Sequence, residues 1–457
     1  MPPQLKLPWS TRPFLRCRPS SSTDIPPLPT HAPFYGRPPV QYIVHQHDDD
    51  TPTLAVEQLG PRVPLYTPEF AADPHAAYRE MRSRYGTLVP VELWPGISAT
   101  LVIGYHTAVR ILNDPEHFSA DPRAWQKTVP ANLPIMPMIE WRPNALRTNG
   151  NTADHHRYRQ ATNDALRGVD LHGLRANVER NAVAIINSFC ADGSADLLAQ
   201  YCLPLVFSVL NEIIGCPPEI GERVAAASAA LFEGVDTATV NNMLDSALLE
   251  LTHLKRREPG DDIATRLVQH PSRLTDLEMI HQLVTCYSAG IEIPQNLIAN
   301  SLLLMLTDAH RFSAINGFPP STQSVLDEIL TTDPPLANYC LTYPRQPMLV
   351  DGVWLPVDQP VITSMAACNN SPEINTGEYA GNGWHLGWGT GPHACPSNAR
   401  SVSQLIARDA IDQLLDALPE LALAVAPEGL TWRPGPFHRA LEALPVTFPP
   451  SPRLHIR

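Results

Sequence analysis

One helical pattern constrains this chain more than any other feature. From Thr275 to Asp308 ("TDLEMIHQLVTCYSAGIEIPQNLIANSLLLMLTD") the residues read as a single helix, and Thr275 and Glu278 have the S/T-x-x-E spacing of a capping box. Unbroken, it would be about 50 Å long at 1.5 Å per residue, far beyond an ordinary helix. It is apolar on more than one face, so it is expected to cross the middle of a domain. Midway lies "AGIEIP". Ala289 and Gly290 leave room for a bulky group to approach the helix, and Glu292 would be a nearly buried carboxylate. Pro294 has no N–H to offer the Gly290 carbonyl and its ring clashes there, which predicts a kink. A plain core helix with a packing kink is the bland reading. Small residues, an acid and a proline together mark a candidate site.

Helical patterns also dominate elsewhere. "DPHAAYREMRSRYG" (73–86) has an aspartate and a proline in its first turn and closes on glycine. Residues 171–193 are amphipathic with a 3.6-residue period, and similar spacing recurs over Ile406 to Leu421. Strand candidates are few and short: "VPVEL", "MLVDGVWLP", "PVITS", "LALAV" and "LPVTF". The class is mainly α with a minor β part. Residues 1 to about 60 are rich in proline and are expected to be an extended or disordered extension, leaving 61–457 as the folded domain. A cluster of His45, His47, Asp48, Asp49 and Asp50 in that extension reads as a solvated polar patch rather than a metal site.

Composition excludes several classes. The formal charge is -13, which argues against nucleic acid as a partner. No apolar run is long enough to span a membrane, and the basic N-terminus has no apolar segment behind it, so neither membrane insertion nor secretion is expected. Eight scattered cysteines without a C-x-x-C pair suit free thiols in the cytoplasm, not a disulfide scaffold.

One of those cysteines stands apart. In "GWGTGPHACPS" (387–397) Cys395 follows three glycines and precedes the helical run "SNARSVSQLIARDAIDQLL". Backbone N–H groups in a glycine-rich loop and the N-terminus of a helix both favour a thiolate. A loop-to-helix thiolate without a second cysteine suits a metal held by a cofactor, and haem iron with an axial thiolate is the known case.

Here the chain resembles the cytochrome P450 family, and its soluble actinobacterial members in particular. The family's haem-ligand pattern, F-G-x-G-x-(H/R)-x-C-x-G, reads Trp388, Gly389, Thr390, Gly391, Pro392, His393, Ala394, Cys395, Pro396, Ser397. "DHHRYRQ" (154–160) looks like the helix that holds the haem propionates, with His155 and Arg159 one turn apart on one face. "AGIEIP" falls where the family has (A/G)-G-x-(D/E)-T-(T/S), and "DEILTTDPPL" (327–336) where it has E-x-x-R. Residues 430–448 resemble its C-terminal hairpin. The resemblance covers roughly residues 65 to 450.

The departures matter as well. The arginine of E-x-x-R is Thr331, so Glu328 must be exposed, protonated or given another partner. Thr342 stands about where a propionate-binding arginine would be, with Arg345 three residues on as its expected substitute. The family's proton-delivering alcohol is Ile293, and the alcohol after it is Pro294.

The resemblance implies a P450 fold, a helix-rich prism with small sheets around haem b, and a monooxygenase of secondary metabolism. It would insert one oxygen atom from dioxygen into a small organic substrate, with electrons from a ferredoxin and its reductase. Cys395 would be the metal ligand. His155, Arg159, His393 and Arg345 would serve the propionates, and Ala289, Gly290, Ile293, Trp388 and Gly389 would border the cofactor. Glu292 and Asn296 would deliver protons. Residues 124–150 and the region around Ala225 to Asn242 would form the substrate lid. Loss of the alcohol and the arginine leaves a second expectation: a haem-binding protein with a sensing, partner-binding or peroxygenase role.

Overall fold

The computed structural model describes residues 53–232, 237–308, 320–374 and 384–455. The His45–Asp50 cluster and the rest of residues 1–52 lie outside these, as do residues 375–383 ahead of the Cys395 loop. Pro52–Arg457 forms one compact unit. It begins ahead of the boundary expected near residue 60, because Leu54–Ala55 pairs in parallel with Val353 and Trp354, and Val56 is wholly buried. A two-residue strand inside a proline-rich stretch leaves no periodicity to read.

The expected helices form. Pro74–Tyr85 starts on Asp73, whose Oδ1 accepts from Ala76 N at 2.9 Å, and it ends on Gly86. Leu171–Phe189 and Ser397–Ala417 also match their sequence patterns. Leu203–Ile214, Pro218–Phe232 and Thr237–Arg257 add to the helical part. Leu203–Ile214 is apolar almost all round, which hides its period and suits its burial in the core.

The strands form three small sheets. The largest runs in the order Val63–Pro64, Leu88–Trp94, Ile97–Val102, Val361–Ser364, Asn338–Pro344, Phe118–Ser119. Its pairings are mixed, parallel where Val361–Ser364 meets Ile97–Val102 and antiparallel where it meets Asn338–Pro344. Between these last two strands the register slips. Thr342 opposes Val361 and Tyr339 opposes Thr363, so the Asn338–Pro344 strand carries one extra residue. This is a β-bulge, and Cys340 within it has φ +50°. The hairpin Met348–Leu355 turns on Asp351-Gly352, both at positive φ, as an Asp-Gly turn requires.

The central helix spans Asp276–Thr307 and continues through Pro294. Its capping box is complete. Thr275 Oγ1 accepts from Glu278 N at 3.3 Å, and Glu278 Oε2 accepts from Thr275 N at 2.8 Å. The same carboxylate accepts from Arg157 Nη1 at 3.0 Å and from the Tyr158 hydroxyl at 2.7 Å. It therefore ties the central helix to helix Ala153–Arg167, which carries His155 and Arg159. Met279–Leu283 and Pro294–Leu302 are buried, whereas Ser288 and Ala289 between them are exposed.

The bond from Arg157 is the largest cause holding the Glu278 carboxyl down to about 2, from an ordinary value of 4.5. A depressed folded-state value stabilises the fold in full above 4.5, and that contribution is lost as pH falls through 2. Glu278→Gln should therefore lower unfolding stability by about 1–3 kcal/mol at pH 7. In denaturant titrations the gap between the two proteins should narrow by pH 3. An equal gap at both pH values would remove the ion pair from this account.

Candidate haem site

Cys395 ends a loop immediately ahead of helix Ser397–Ala417. Its backbone N–H donates to Trp388 O at 2.8 Å, closing the loop on itself, and Trp388 is buried in the helical core. Two glycines allow the loop to be approached closely. Gly391 has φ +73°, and a Cβ there would stand 2.2 Å from Leu112 O. A Cβ on Gly150 would stand 2.6 Å from Pro392 Cβ. Burial pushes the Cys395 thiol up to about 11, while Arg400 and Arg159 pull it the other way. Arg400 Nε donates to the Cys395 carbonyl at 2.9 Å. The thiol thus keeps its proton until a metal displaces it, and coordination does so outright.

The groups behind the loop converge. His155 is buried, its Nδ1 3.1 Å from Ala145 O and its ring 4.6 Å from that of His393. His393 Nε2 lies 2.8 Å from Thr148 O. Burial brings His393 down to about 4; the nearby His155, Arg159 and Arg147 add to this, and the Thr148 carbonyl opposes it. Burial, then Arg159, lowers His155 as well. Arg159 is half-buried and donates through Nη2 to Ala394 O, next to the thiol. Among the described residues no carboxylate pairs with it.

The central helix contributes a mixed face. Ala289 is exposed, and the missing Cβ of Gly290 makes room for Leu210, whose methyls would be 3.0 Å away. Ile293 packs against the helical core. The Glu292 carboxylate is engaged on both oxygens, Oε1 by Arg433 Nη2 and Oε2 by Gln295 Nε2 at 3.2 Å. Asn296 is buried, and its Nδ2 turns back to donate to Glu292 O at 2.8 Å. One of its two amide N–H donors is thus taken by the backbone of its own helix.

Arg345 stands elsewhere, exposed on the turn after strand Asn338–Pro344, with its backbone N–H on His117 O at 2.9 Å. Glu328 is half-buried and has a partner. Thr331 Oγ1 donates to Asp327 O within its helix. Sequence reasoning missed Arg147, Arg400 and Arg433. Arg400 had a local signal, since it sits one turn into the helix after Cys395. Arg147 and Arg433 come from distant segments and had none. In the expected lid, Arg123–Gln126 and Met136–Ile139 are short helices. A cleft of about 440 Å³ opens between Arg223, Ala226, Thr239, Asn242, Met243 and Ser246.

The donor set fits a haem. It has one thiol at a helix N-terminus, cations beside it without carboxylate partners among the described residues, and small exposed side chains at Ser288 and Ala289 of the central helix. None of the described helices is long and apolar enough to cross a membrane.

No family model matches the chain. Individual relatives do. It is 29% identical over 397 residues to the cytochrome P450 monooxygenase PikC of Streptomyces venezuelae, covering 83% of this chain and 92% of that one. It is 26% identical over 411 residues to a vitamin D(3) 25-hydroxylase of Pseudonocardia autotrophica, covering 84% and 96%. Among solved structures, CYP154C4 from Streptomyces sp. ATCC 11861 matches with a TM-score of 0.76 at 25% identity, over 85% of this chain and 98% of that one. Over more than four fifths of its length the chain is thus similar to bacterial cytochrome P450 monooxygenases, and it shares their fold.

Proposed function

We propose that this chain is a haem-thiolate monooxygenase that inserts one oxygen atom from dioxygen into a small organic molecule of secondary metabolism, in which Cys395 Sγ would hold the haem iron and a ferredoxin with its reductase would supply electrons. The observation that carries the reading is the Cys395 thiol, closed in its loop by Trp388 O and flanked by Arg159 and Arg400. The haem, when bound, supplies the iron at which dioxygen is reduced. His155, Arg159 and His393 would bind its propionates, Trp388 and Gly389 would border it from the Cys395 loop, and Ala289 and Ile293 would border it from the central helix, where Gly290 makes room for Leu210. PikC and the vitamin D(3) 25-hydroxylase, by their names a monooxygenase and a hydroxylase, support the reaction class.

Proton supply is the least ordinary part. The Ile293 side chain has no polar atom to hold a water, so the acid that this part of the central helix offers is Glu292. Its Oε1 is held by Arg433 and its Oε2 by Gln295. Glu292 hands on a proton only after one of these contacts opens, and Asn296 offers little help while its amide is bound to Glu292 O. Proton delivery is therefore the step expected to limit oxygen-driven turnover.

A substrate screen by haem spectral shift, followed by turnover with a surrogate ferredoxin system, tests the reaction. A ligand that shifts the spectrum but is never oxidised would favour a sensing role. The reduced carbon monoxide complex should show the red-shifted Soret band of thiolate ligation, and Cys395→His should lose it. An imidazole-type band in the unmutated protein would overturn Cys395 as ligand. Glu292→Gln should lower oxygen-driven turnover by about a hundredfold and change peroxide-driven turnover, which brings its own protons, by less than about twofold. Equal losses in both assays would make Glu292 structural.

A further inference from the structure

Arg147 is a buried cation with no anion. It is 8% exposed, and its guanidinium is among the most enclosed charges on the described chain. Its Nη2 donates to the Met138 carbonyl and to the Tyr339 hydroxyl, the latter at 2.6 Å, and its Cζ lies 5.6 Å from the centre of the Tyr339 ring. Those partners are neutral. Among the described residues no carboxylate pairs with it. A guanidinium has five N–H donors and cannot lose its proton, so burying one this way is costly unless an anion arrives from outside the chain.

Its position says where such an anion would sit. The adjacent Thr148 offers its carbonyl to His393 Nε2 at 2.8 Å. Two residues further on, Gly150 lies so close to Pro392 that no Cβ fits between them. The 147–150 segment therefore packs directly on the loop that ends in Cys395. On its other side, Arg147 rests on Tyr339 in strand Asn338–Pro344. The bulge at Cys340 gives that strand an extra residue, so Tyr339 and Thr342 oppose Thr363 and Val361. Val361 and Thr363 are two apart and share a face, so Tyr339 and Thr342 share one as well. Thr342 is where a strand arginine was expected and is missing.

On the reading of this chain as a haem-thiolate P450, we infer that Arg147 binds a haem propionate, replacing from a neighbouring segment the cation that the strand lacks. The Tyr339 hydroxyl, which also donates to Met138 O at 2.8 Å, orients the guanidinium from the strand side. Arg345, exposed on the far end of the strand, takes no part.

A structural arginine and a cofactor-binding one have opposite signatures. An arginine present for the fold stabilises the haem-free chain. One present for a propionate burdens it and repays only when haem binds. Arg147→Met keeps the aliphatic stem, removes the charge and leaves Met138 O its bond from Tyr339, so the variant should fold and its haem-free form should be at least as stable as the original. Haem transfer to excess apomyoglobin then reads retention, with native haem and with haem dimethyl ester, whose propionates carry no charge. Arg147→Met should release native haem about ten- to a hundredfold faster and the diester at an almost unchanged rate. Arg147→Lys should retain most of the discrimination. The assignment is overturned if Arg147→Met speeds release of both haems alike, if its haem-free form is less stable, or if Arg345→Gln carries the loss instead. A chain that takes up no haem would overturn the haem-thiolate reading as well. Intact thiolate spectra with unchanged discrimination would overturn Arg147 alone.

Discussion

The site depends on one carboxylate. Glu278 caps the central helix and, with the same two oxygens, holds Arg157 and Tyr158 of the helix that carries His155 and Arg159. The central helix supplies the side with Ala289 and Glu292, and the other helix supplies the cations near Cys395. A carboxylate in such a place would be costly to desolvate, but three sets of donors offset that cost and one of them is charged. The tie fixes the two halves of the site to each other before any cofactor is present.

What could be read from the sequence was local. The capping box, the glycine loop around Cys395 and the His155–Arg159 pair each place their partners within a few residues, where spacing alone dictates geometry. What could not be read was long-range. Arg147 meets Tyr339 across 192 residues, and Arg433 meets Glu292 across 141. The bulge at Cys340 was also hidden, because it uses a non-glycine residue at positive φ and leaves the apolar pattern of the strand intact. Arg345 looked suitable by proximity in sequence to Thr342, but the strand ends before it and leaves it in solvent.

The lost arginine of E-x-x-R has a neutral replacement for part of its work. Asn369 is buried, and its Nδ2 donates to Leu330 O at 3.3 Å while its Oδ1 accepts from Leu386 N at 2.7 Å. One amide thus joins helix Thr322–Thr332 to the start of the Cys395 loop. Gly387 brings the two still closer, since a Cβ there would be 2.5 Å from Leu330 O. A charged network in such a place must recover the desolvation of every member, whereas an amide with both ends bonded has much less to recover. The loop can therefore be anchored without the usual arginine.

The acid of the central helix is held partly from outside that helix. Arg433 holds Glu292 through Nη2 and donates through Nε to His438 Nε2 at 3.1 Å. Burial, then Arg433, brings His438 down to about 4, so it is neutral at pH 7 and can accept this bond. An imidazolium there would repel Arg433. Six residues on, Arg439 donates to Asp333 Oδ2 at 2.9 Å, and its carbonyl accepts from Asn300 Nδ2 of the central helix at 3.0 Å. The segment bearing Arg433 is thus anchored at Arg439 and engages Glu292 at its other end. On the proposed reading, with no hydroxyl at Ile293 or Pro294, proton supply would depend on the orientation of this one carboxylate. That orientation is shared between Arg433 of a C-terminal segment and Gln295 of its own helix.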